Sequence, residues 1–489
     1  MTWEKIPANT RVPMKQPMFS LRLQQERSKH TWKEFEKVSG VSRRALQNYT
    51  YLRYNPDVKT LKKLVSNTQI TEKEVEGFIN WNDELKALTR DRLALSDVVL
   101  LDEESEFIDL KQLCSGMKAA GMTNFFEFPI MTKEEGKDIV VSYKTGPGQV
   151  KARPIRITRF VPLDDRTFTA FGLIQAESTK TPRHLYFDFV NSDSLLVRYV
   201  LDYFNECWGT NHSQWICEIM YWRNDWTPQK EEEIKEYWSN HLTLPLDSVR
   251  VAQGKKTRRS DDAANHGVAS LRLLNKAFKT VVIETLNRVI KEKALKSQKS
   301  AGAYLKGIMS GDGAIICDKG RFKTIGLAFN PHSNELEEYR ILLNTLKVQI
   351  GTHLLKGRKK RFIALGSWEA QYNVLKNTEV GLFLNPERNR KFIHGFLDNQ
   401  YVQPLQRLKE LAELSGFAAK DYAQKAGCGK RNAQGCISRL LKLKWIRKVD
   451  ERLSRYEVTT EGKTFVSTVK KLEELLNDPV PDSCYSGSC

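Results

Sequence analysis

Two acidic residues far apart in the chain occupy the same place in a repeated segment, and that placement could do chemistry. Residues 168–178 read FTAFGLIQAES and residues 303–313 read AYLKGIMSGDG; aligned without a gap, they pair Gly172 with Gly307, Ala176 with Gly311 and Glu177 with Asp312. Small residues at i and i+4 share one face of an α-helix, so two such helices can bring their backbones close together. The carboxylate one residue further on then lands at the end of the pair, and Glu177 and Asp312 are expected side by side. Paired carboxylates suit a hard divalent cation such as Mg²⁺. Such an ion neutralises charge on a phosphodiester and makes a water nucleophilic. One acid per half, near a pseudo-twofold axis, is also the arrangement needed to attack two strands.

The elements that must carry these acids repeat as well. The first motif is followed by a strand-like run, HLYFDFVNSD, and a helical run, SLLVRYVLDYFNECWG; the second by KTIGLAFNPHS and NELEEYRILLNTLKVQIG. Each half then has a basic, hairpin-like stretch: VRVAQGKKTRR before HGVASLRLL, and THLLKGRKKRF before IALGSWEA. The reading is helix–strand–strand–helix with further strands, an α+β unit in tandem. Lys255, Lys256, Arg258 and Arg259 in the first half, and Arg358, Lys359 and Lys360 in the second, are expected to face DNA phosphates. The stretch from Asn211 to His241 lengthens the first half. Its Trp215, Trp222, Trp226 and Trp238 are read as the core of a small insertion rather than as stacking platforms for bases.

On these residues the segment from about 155 to 395 resembles a single-chain, pseudo-dimeric LAGLIDADG protein of the homing-endonuclease family. The resemblance implies an antiparallel β saddle over DNA with paired central helices, and metal-dependent cleavage of both strands. Carried over position by position, it makes Glu177 and Asp312 the metal-binding catalytic acids, and the backbone carbonyls of Ala176 and Gly311 the neighbouring ligands, with Mg²⁺ as the expected ion. Gly172, Ala176, Gly307 and Gly311 become the packing seam. Gln175 and Ser310 replace the motif's inner aspartate, and Ser178 replaces the closing glycine of the first copy. Family members also place a lysine near the scissile phosphate. Lys255, Lys256, Lys359 and Lys360 are available, and the sequence does not assign that role among them.

A helix-turn-helix pattern lies on each side. Near the N-terminus, Leu21, Leu23, Trp32, Phe35, Val38, Val41, Leu46 and Tyr49 recur at helical spacing. Gly40 marks a tight turn, and Ser42 is placed to cap the next helix. The stretch resembles the Cro/repressor helix-turn-helix, with Arg43, Arg44, Gln47 and Asn48 on the helix that would read base edges. Residues 403–468 resemble a winged helix. QPLQRLKELAELSG and KDYAQKAGC read as its first two helices, and GKRNAQGCISRLLK as its recognition helix. ERLSRYEVTTEGKTFV reads as a wing turning at Glu461 and Gly462. There Lys430, Arg431, Asn432, Gln434, Ser438 and Arg439 are the expected DNA-facing residues.

Bulk composition agrees with a polyanionic partner. The chain has 489 residues, 78 Lys+Arg against 59 Asp+Glu, and a formal charge of +19. Its eight cysteines are scattered with no C-x-x-C spacing, which argues against a zinc module and fits a reducing, intracellular setting. The start of the chain has no apolar leader, and no run is long enough for a membrane span. The expected location is therefore the cytoplasm and nucleoid, or the nucleus in a eukaryote.

The domain plan is 1–70 helix-turn-helix, 71–155 linker and accessory strands, 156–398 tandem LAGLIDADG, 399–475 winged helix and 476–489 disordered tail. Internal pseudo-symmetry predicts a monomer. The leading function is a site-specific endonuclease on double-stranded DNA. The alternatives are a transcription regulator on the same scaffold that has lost cleavage, and an RNA-binding maturase, since a basic saddle also suits RNA.

Overall fold

Short helices with strong start and stop signals open the described chain. The computed structural model describes residues 12, 14–15, 18–50, 55–79, 106–115, 118–120, 127–143, 154–178, 186–223, 225–254, 265–318, 321–329, 334–348, 361–379, 381–399, 402–414, 416–450 and 454–477. Helices α1 (Met18–Arg27), α2 (Trp32–Ser39), α3 (Arg43–Thr50), α4 (Val58–Asn67) and α5 (Glu72–Phe78) follow one another. Thr31 and Glu34 form a capping box on α2, and Thr71 and Glu74 another on α5. Gly40 ends α2 at φ 66°, a left-handed conformation that glycine adopts without a Cβ penalty. Phe19, Leu23, Phe35, Val41, Leu46, Leu61, Ile70, Val75 and Ile79 form one buried core, so the helical module continues through Ile79. Leu21 and Val38, expected inside, are 52% and 43% exposed. The core stripe of α1 is set by Phe19 and Leu23 instead.

The chain divides into two compact units, and this helical module belongs to the first; the second comprises Glu106–Cys114, Ile130–Lys144 and Gly148–Cys489. The second unit is mixed α+β with several small, mostly antiparallel sheets. It begins with β1 (Phe107–Asp109), β2 (Glu127–Glu135) from Ile130 onward, β3 (Asp138–Tyr143), β4 (Ile155–Thr158) and β5 (Phe160–Pro162). Strands β2, β3 and β4 neighbour one another in that order, and β1 pairs with β5. Arg159 ties the two ribbons together through Asp109 at 2.6 Å and Glu134 at 2.8 Å.

Two stretches follow, each opened by one of the repeated helices, with a four-stranded sheet in the first and a three-stranded sheet in the second. The first comprises α6 (Asp165–Glu177), β6 (Phe187–Asn191), α7 (Ser194–Trp208), β7 (Trp215–Tyr221), α8 (Pro228–Leu242), β8 (Val249–Gln253) and β9 (Val268–Leu273). It closes with a helical run whose Thr280–Leu286 segment is π-type and whose last part is α9 (Asn287–Ala294). The second comprises α10 (Gln298–Asp312), β10 (Gly313–Asp318), β11 (Arg321–Phe329), α11 (Glu335–Thr345), β12 (Arg361–Leu365) and α12 (Trp368–Asn377). In each half the last strand returns antiparallel beside the strand that precedes the second helix: β9 beside β6, and β12 beside β11.

Residues 249–253 do not form the expected hairpin with the run after them. Strand β8 pairs in parallel with β7, and β9 lies on the other side of β7. Parallel neighbours need a crossover, which α8 supplies, so the addition to the first half is a βα extension of its sheet. Strand β7 itself is central rather than inserted. Trp215 and Trp238 are fully buried, and Trp215 joins Phe187, Phe204 and Phe278 in an edge-to-face cluster, with Phe187 and Phe204 centroids 5.2 Å apart.

After α13 (Pro386–Leu397) come β13 (Phe417–Ala418), α14 (Ala419–Ala426), α15 (Lys430–Lys442), β14 (Ile446–Asp450), β15 (Arg455–Val458) and α16 (Thr460–Asn477). The three strands form one sheet in the order β13-β15-β14. The turn expected at Glu461 and Gly462 is instead the first turn of α16, where the Thr459 hydroxyl accepts from the Gly462 N–H at 3.2 Å. QPLQRLKELAELSG forms two short turns, Gln403–Gln406 and Leu408–Leu411, rather than one helix. This module is seated on the second half: Trp445 stacks on Phe465 at 4.0 Å and meets Tyr372 and Trp368 edge-on. Residues 478–489 lie outside the described residues. Cys114, Cys207, Cys217, Cys317, Cys428 and Cys436 are free thiols, and among the described residues no helix is long and apolar enough to cross a membrane.

Candidate functional site

The small residues of the repeat are where two backbones meet. Helices α6 and α10 lie parallel: Lys299 Nζ reaches Asp165 Oδ2 at 3.0 Å near their N-termini, and Gly311 faces Glu177 at their C-termini. A Cβ added to Gly172 would sit 2.0 Å from the Tyr304 carbonyl oxygen, and one on Gly307 2.0 Å from that of Thr169. One on Gly311 would sit 2.7 Å from the Ala176 Cβ and 3.1 Å from Glu177 Oε1. The Thr169 hydroxyl donates across the seam to the Ala303 carbonyl at 3.1 Å. Asp164 and Ser297 cap the two helices; α10 begins two residues earlier in the repeat than α6, and the two end at the equivalent residues Glu177 and Asp312.

Glu177 is the last residue of α6 and Asp312 the last of α10, and both are half-buried. Helix C-termini carry partial negative charge and carbonyls without intrahelical partners. Two of them with two carboxylates make a strongly cation-attracting end. A ring of polar side chains closes over it. Asn191 Nδ2 donates to Glu177 Oε1 at 3.0 Å, and Asn191 Oδ1 accepts from the Asp193 N–H at 2.8 Å. Asn385 Nδ2 donates to Asp193 Oδ2 at 2.7 Å, which joins the two halves. Asn385 Oδ1 then caps Arg388, accepting from its N–H at 3.1 Å.

Arg388 completes the ring from the second half. Its Nη1 donates to the Ser310 carbonyl at 2.8 Å and its Nη2 to that of Gly313 at 2.7 Å, so the guanidinium clamps the backbone on either side of Asp312. It also lies over the Phe383 ring at 4.6 Å. Burial pulls the Arg388 pKa down, against the attraction of Asp193 and Glu177. The positions that replace the inner aspartate are used for packing. Gln175 Oε1 accepts from Asn287 Nδ2 at 2.7 Å. The Ser310 hydroxyl donates to the Lys306 carbonyl and accepts from the Leu384 N–H.

The donor set is all hard oxygen: two carboxylates, with the last-turn carbonyls of Ala176 and Gly311 beside them. Such a set fits Mg²⁺ in kind. Among the described residues no group of three or more His, Cys, Asp or Glu side chains is arranged to hold a metal. Ligation would therefore need those carbonyls and water.

No protein-family model, curated protein or solved structure matches this chain.

The expected base-reading residues are distributed unevenly. In the N-terminal module Arg43 and Arg44 are exposed, and Gln47 and Asn48 half-buried. In the C-terminal one Lys430, Arg431, Asn432, Gln434 and Ser438 are exposed along α15. Arg439 is turned away from them: it lies over the Trp368 ring at 4.8 Å and 3.8 Å from Glu369, as part of the joint to the second half. Lys255, Lys256, Arg258, Arg259, Arg358, Lys359 and Lys360 lie outside the described residues. On the first sheet Arg272 is held by Glu218 and, at 3.7 Å, by Asp188, which offsets its charge locally.

Sequence reasoning missed Asn191, Asp193, Asn385 and Arg388. Asn and Asp ahead of helical runs are signals for N-caps, and Asp193 and Asn385 do cap α7 and α13. Their second role, at the acids, has no local signal.

Proposed function

We propose that this chain binds specific sites on double-stranded DNA and that its central region is a tandem LAGLIDADG pseudo-dimer, with paired helices under a β saddle, acting as a Mg²⁺-dependent endonuclease on both strands. The observation that carries this reading is the glycine-to-backbone contact of two parallel helices, each ending in an acid at the same end. The antiparallel strand that returns in each half beside the one preceding the second helix supports a saddle with a pseudo-twofold axis between the helices.

In this reading Glu177 and Asp312, with the carbonyls of Ala176 and Gly311, hold the metal. The metal supplies charge neutralisation at the scissile phosphate and a water of lowered pKa. Asn191 fixes the Glu177 carboxylate, and the exposed faces of α3 and α15 contribute base and phosphate contacts. Linked weak binders gain by effective concentration, so the composite site is long.

The test is cleavage mapping on genomic DNA from the source with Mg²⁺, comparing wild type with the Glu177→Gln/Asp312→Asn double variant. The expected result is discrete ends made by the wild type alone, with binding kept in the variant. Specific binding with no cut by either protein would remove the nuclease.

One observation favours a second reading, a regulator on the same scaffold. Arg388 is a built-in cation at the acid pair, bonded to the backbone flanking Asp312. Such a charge can stabilise the acids without a metal. The regulator reading predicts DNA affinity that is insensitive to chelation.

A further inference from the structure

On the flank of the helix pair, away from the polar ring, lies a cleft of about 140 Å³ whose walls include Tyr304, Ile308, Leu295, Tyr339, Leu342 and Gln175. Apolar side chains dominate it, yet two polar groups inside are left over. Tyr304 and Tyr339 are 1% and 2% exposed, and among the described residues their hydroxyls have no hydrogen-bond partner. Asn287 Oδ1 is buried and unpaired in the same way, its amide nitrogen being given to Gln175. Buried hydroxyls are nearly always satisfied in native proteins. Two on facing helices around one cleft offer hydrogen bonds to whatever fills it.

Size and charge narrow the partner. A cavity of about 150 Å³ lined by aliphatic and aromatic side chains accepts one benzene ring. At the rim the one cationic wall residue, Lys291, is paired with Glu338 at 2.8 Å, so the cleft has no cation to spare for an anion. The Asp312 charge acts on Tyr339 from one side and that of Glu338 on Tyr304, which disfavours an anion further. A neutral ring bearing one hydroxyl or carbonyl group matches both the apolar walls and the two tyrosine hydroxyls.

We propose that this cleft is a binding site for a small, neutral, single-ring ligand carrying one hydrogen-bonding oxygen. The ligand would rest against both paired helices, with Gln175 two residues from Glu177. The mouth is accessible at Ile341, which is 47% exposed. The proposal does not depend on the nuclease reading.

The test uses the full chain and 4-fluorophenol, followed by its fluorine NMR signal, with phenol and toluene as competitors. Saturable broadening is expected, with phenol displacing the probe about five- to tenfold better than toluene, the value of roughly one net hydrogen bond. Tyr304→Phe/Tyr339→Phe should erase that preference while still binding a ring. Ile341→Trp, a substitution at an exposed position that leaves the core intact, should block entry. No saturable signal with wild type, a phenol preference that survives in the double variant, or unchanged binding in Ile341→Trp would each overturn the proposal. The last outcome would place the probe elsewhere.

Discussion

The two helix ends look alike in sequence and are built differently. In the first half Asn191 donates to Glu177, and Gln175 is tied sideways to Asn287. In the second half the backbone around Asp312 is clamped by a guanidinium, and Ser310 anchors Leu384 in the segment that leads to it. The seam is symmetric because backbone contact allows nothing larger than glycine or alanine. The shell is not, because each half recruits whatever its neighbouring loop brings near. A duplicated motif can therefore keep its acids aligned while giving them different hydrogen-bonded surroundings.

The largest effect should come from breaking the symmetric part. Gly307→Val places a Cβ against the Thr169 carbonyl and the Leu173 N–H, two backbone groups that cannot yield. Overpacking costs about 1–3 kcal/mol where side chains can adjust, and here the loss should exceed that range. Denaturant unfolding should show the second unit opening first, with the N-terminal helices retained.

Arg388→Met tests the asymmetry directly. Two carbonyls lose charge-assisted donors, a cost of about 1.5–3 kcal/mol, and the acid pair loses its built-in cation. Unfolding measured with and without Mg²⁺ should show a larger metal-dependent gain for this variant than for wild type. Equal gains would mean that Arg388 does not balance the acids.

A smaller loss, about 1–3 kcal/mol, is expected for Gln175→Leu, which removes the acceptor of the half-buried Asn287 amide. Ser310→Ala should cost about 1 kcal/mol, through the lost acceptor of the Leu384 N–H. Equal losses for the two, read by the same unfolding assay, would remove the claimed difference between the inner positions.

The smallest effect should be one of pH, where the start of β9 packs on α8. His266 stacks on Tyr237 at 3.8 Å, and burial, then Lys230 and His241, lower its pKa below 6.5. The unfolded chain thus takes the proton more readily, so stability is present above the ordinary histidine range and falls as pH drops through it. His266→Gln should flatten that dependence in thermal unfolding scans between about pH 7 and pH 5.

The N-terminal module was partly readable for a related reason. Gly40 is a local signal that the sequence reading used, and the Thr31–Glu34 capping box is one that it passed over; the helices they delimit need no distant partner to start or stop. Leu21 and Val38 were misplaced because period alone does not say which of two apolar stripes faces the core. In the C-terminal module Thr459 caps a helix where a wing turn was expected. The segment Thr-Thr-Glu-Gly suits either, and packing of Phe465 on Trp445 favours the helix.

The sequence by itself determined the helix seam and the level of the two acids. Both follow from residue type at fixed spacing along one helix. Tertiary structure alone decided the ring of Asn191, Asp193, Asn385 and Arg388, the parallel placement of β8 and the turning of Arg439 onto Trp368. Asn385 and Asp193 are 192 residues apart. A contact of that range leaves no periodic trace, because its energy depends on where two loops are carried by the elements beneath them.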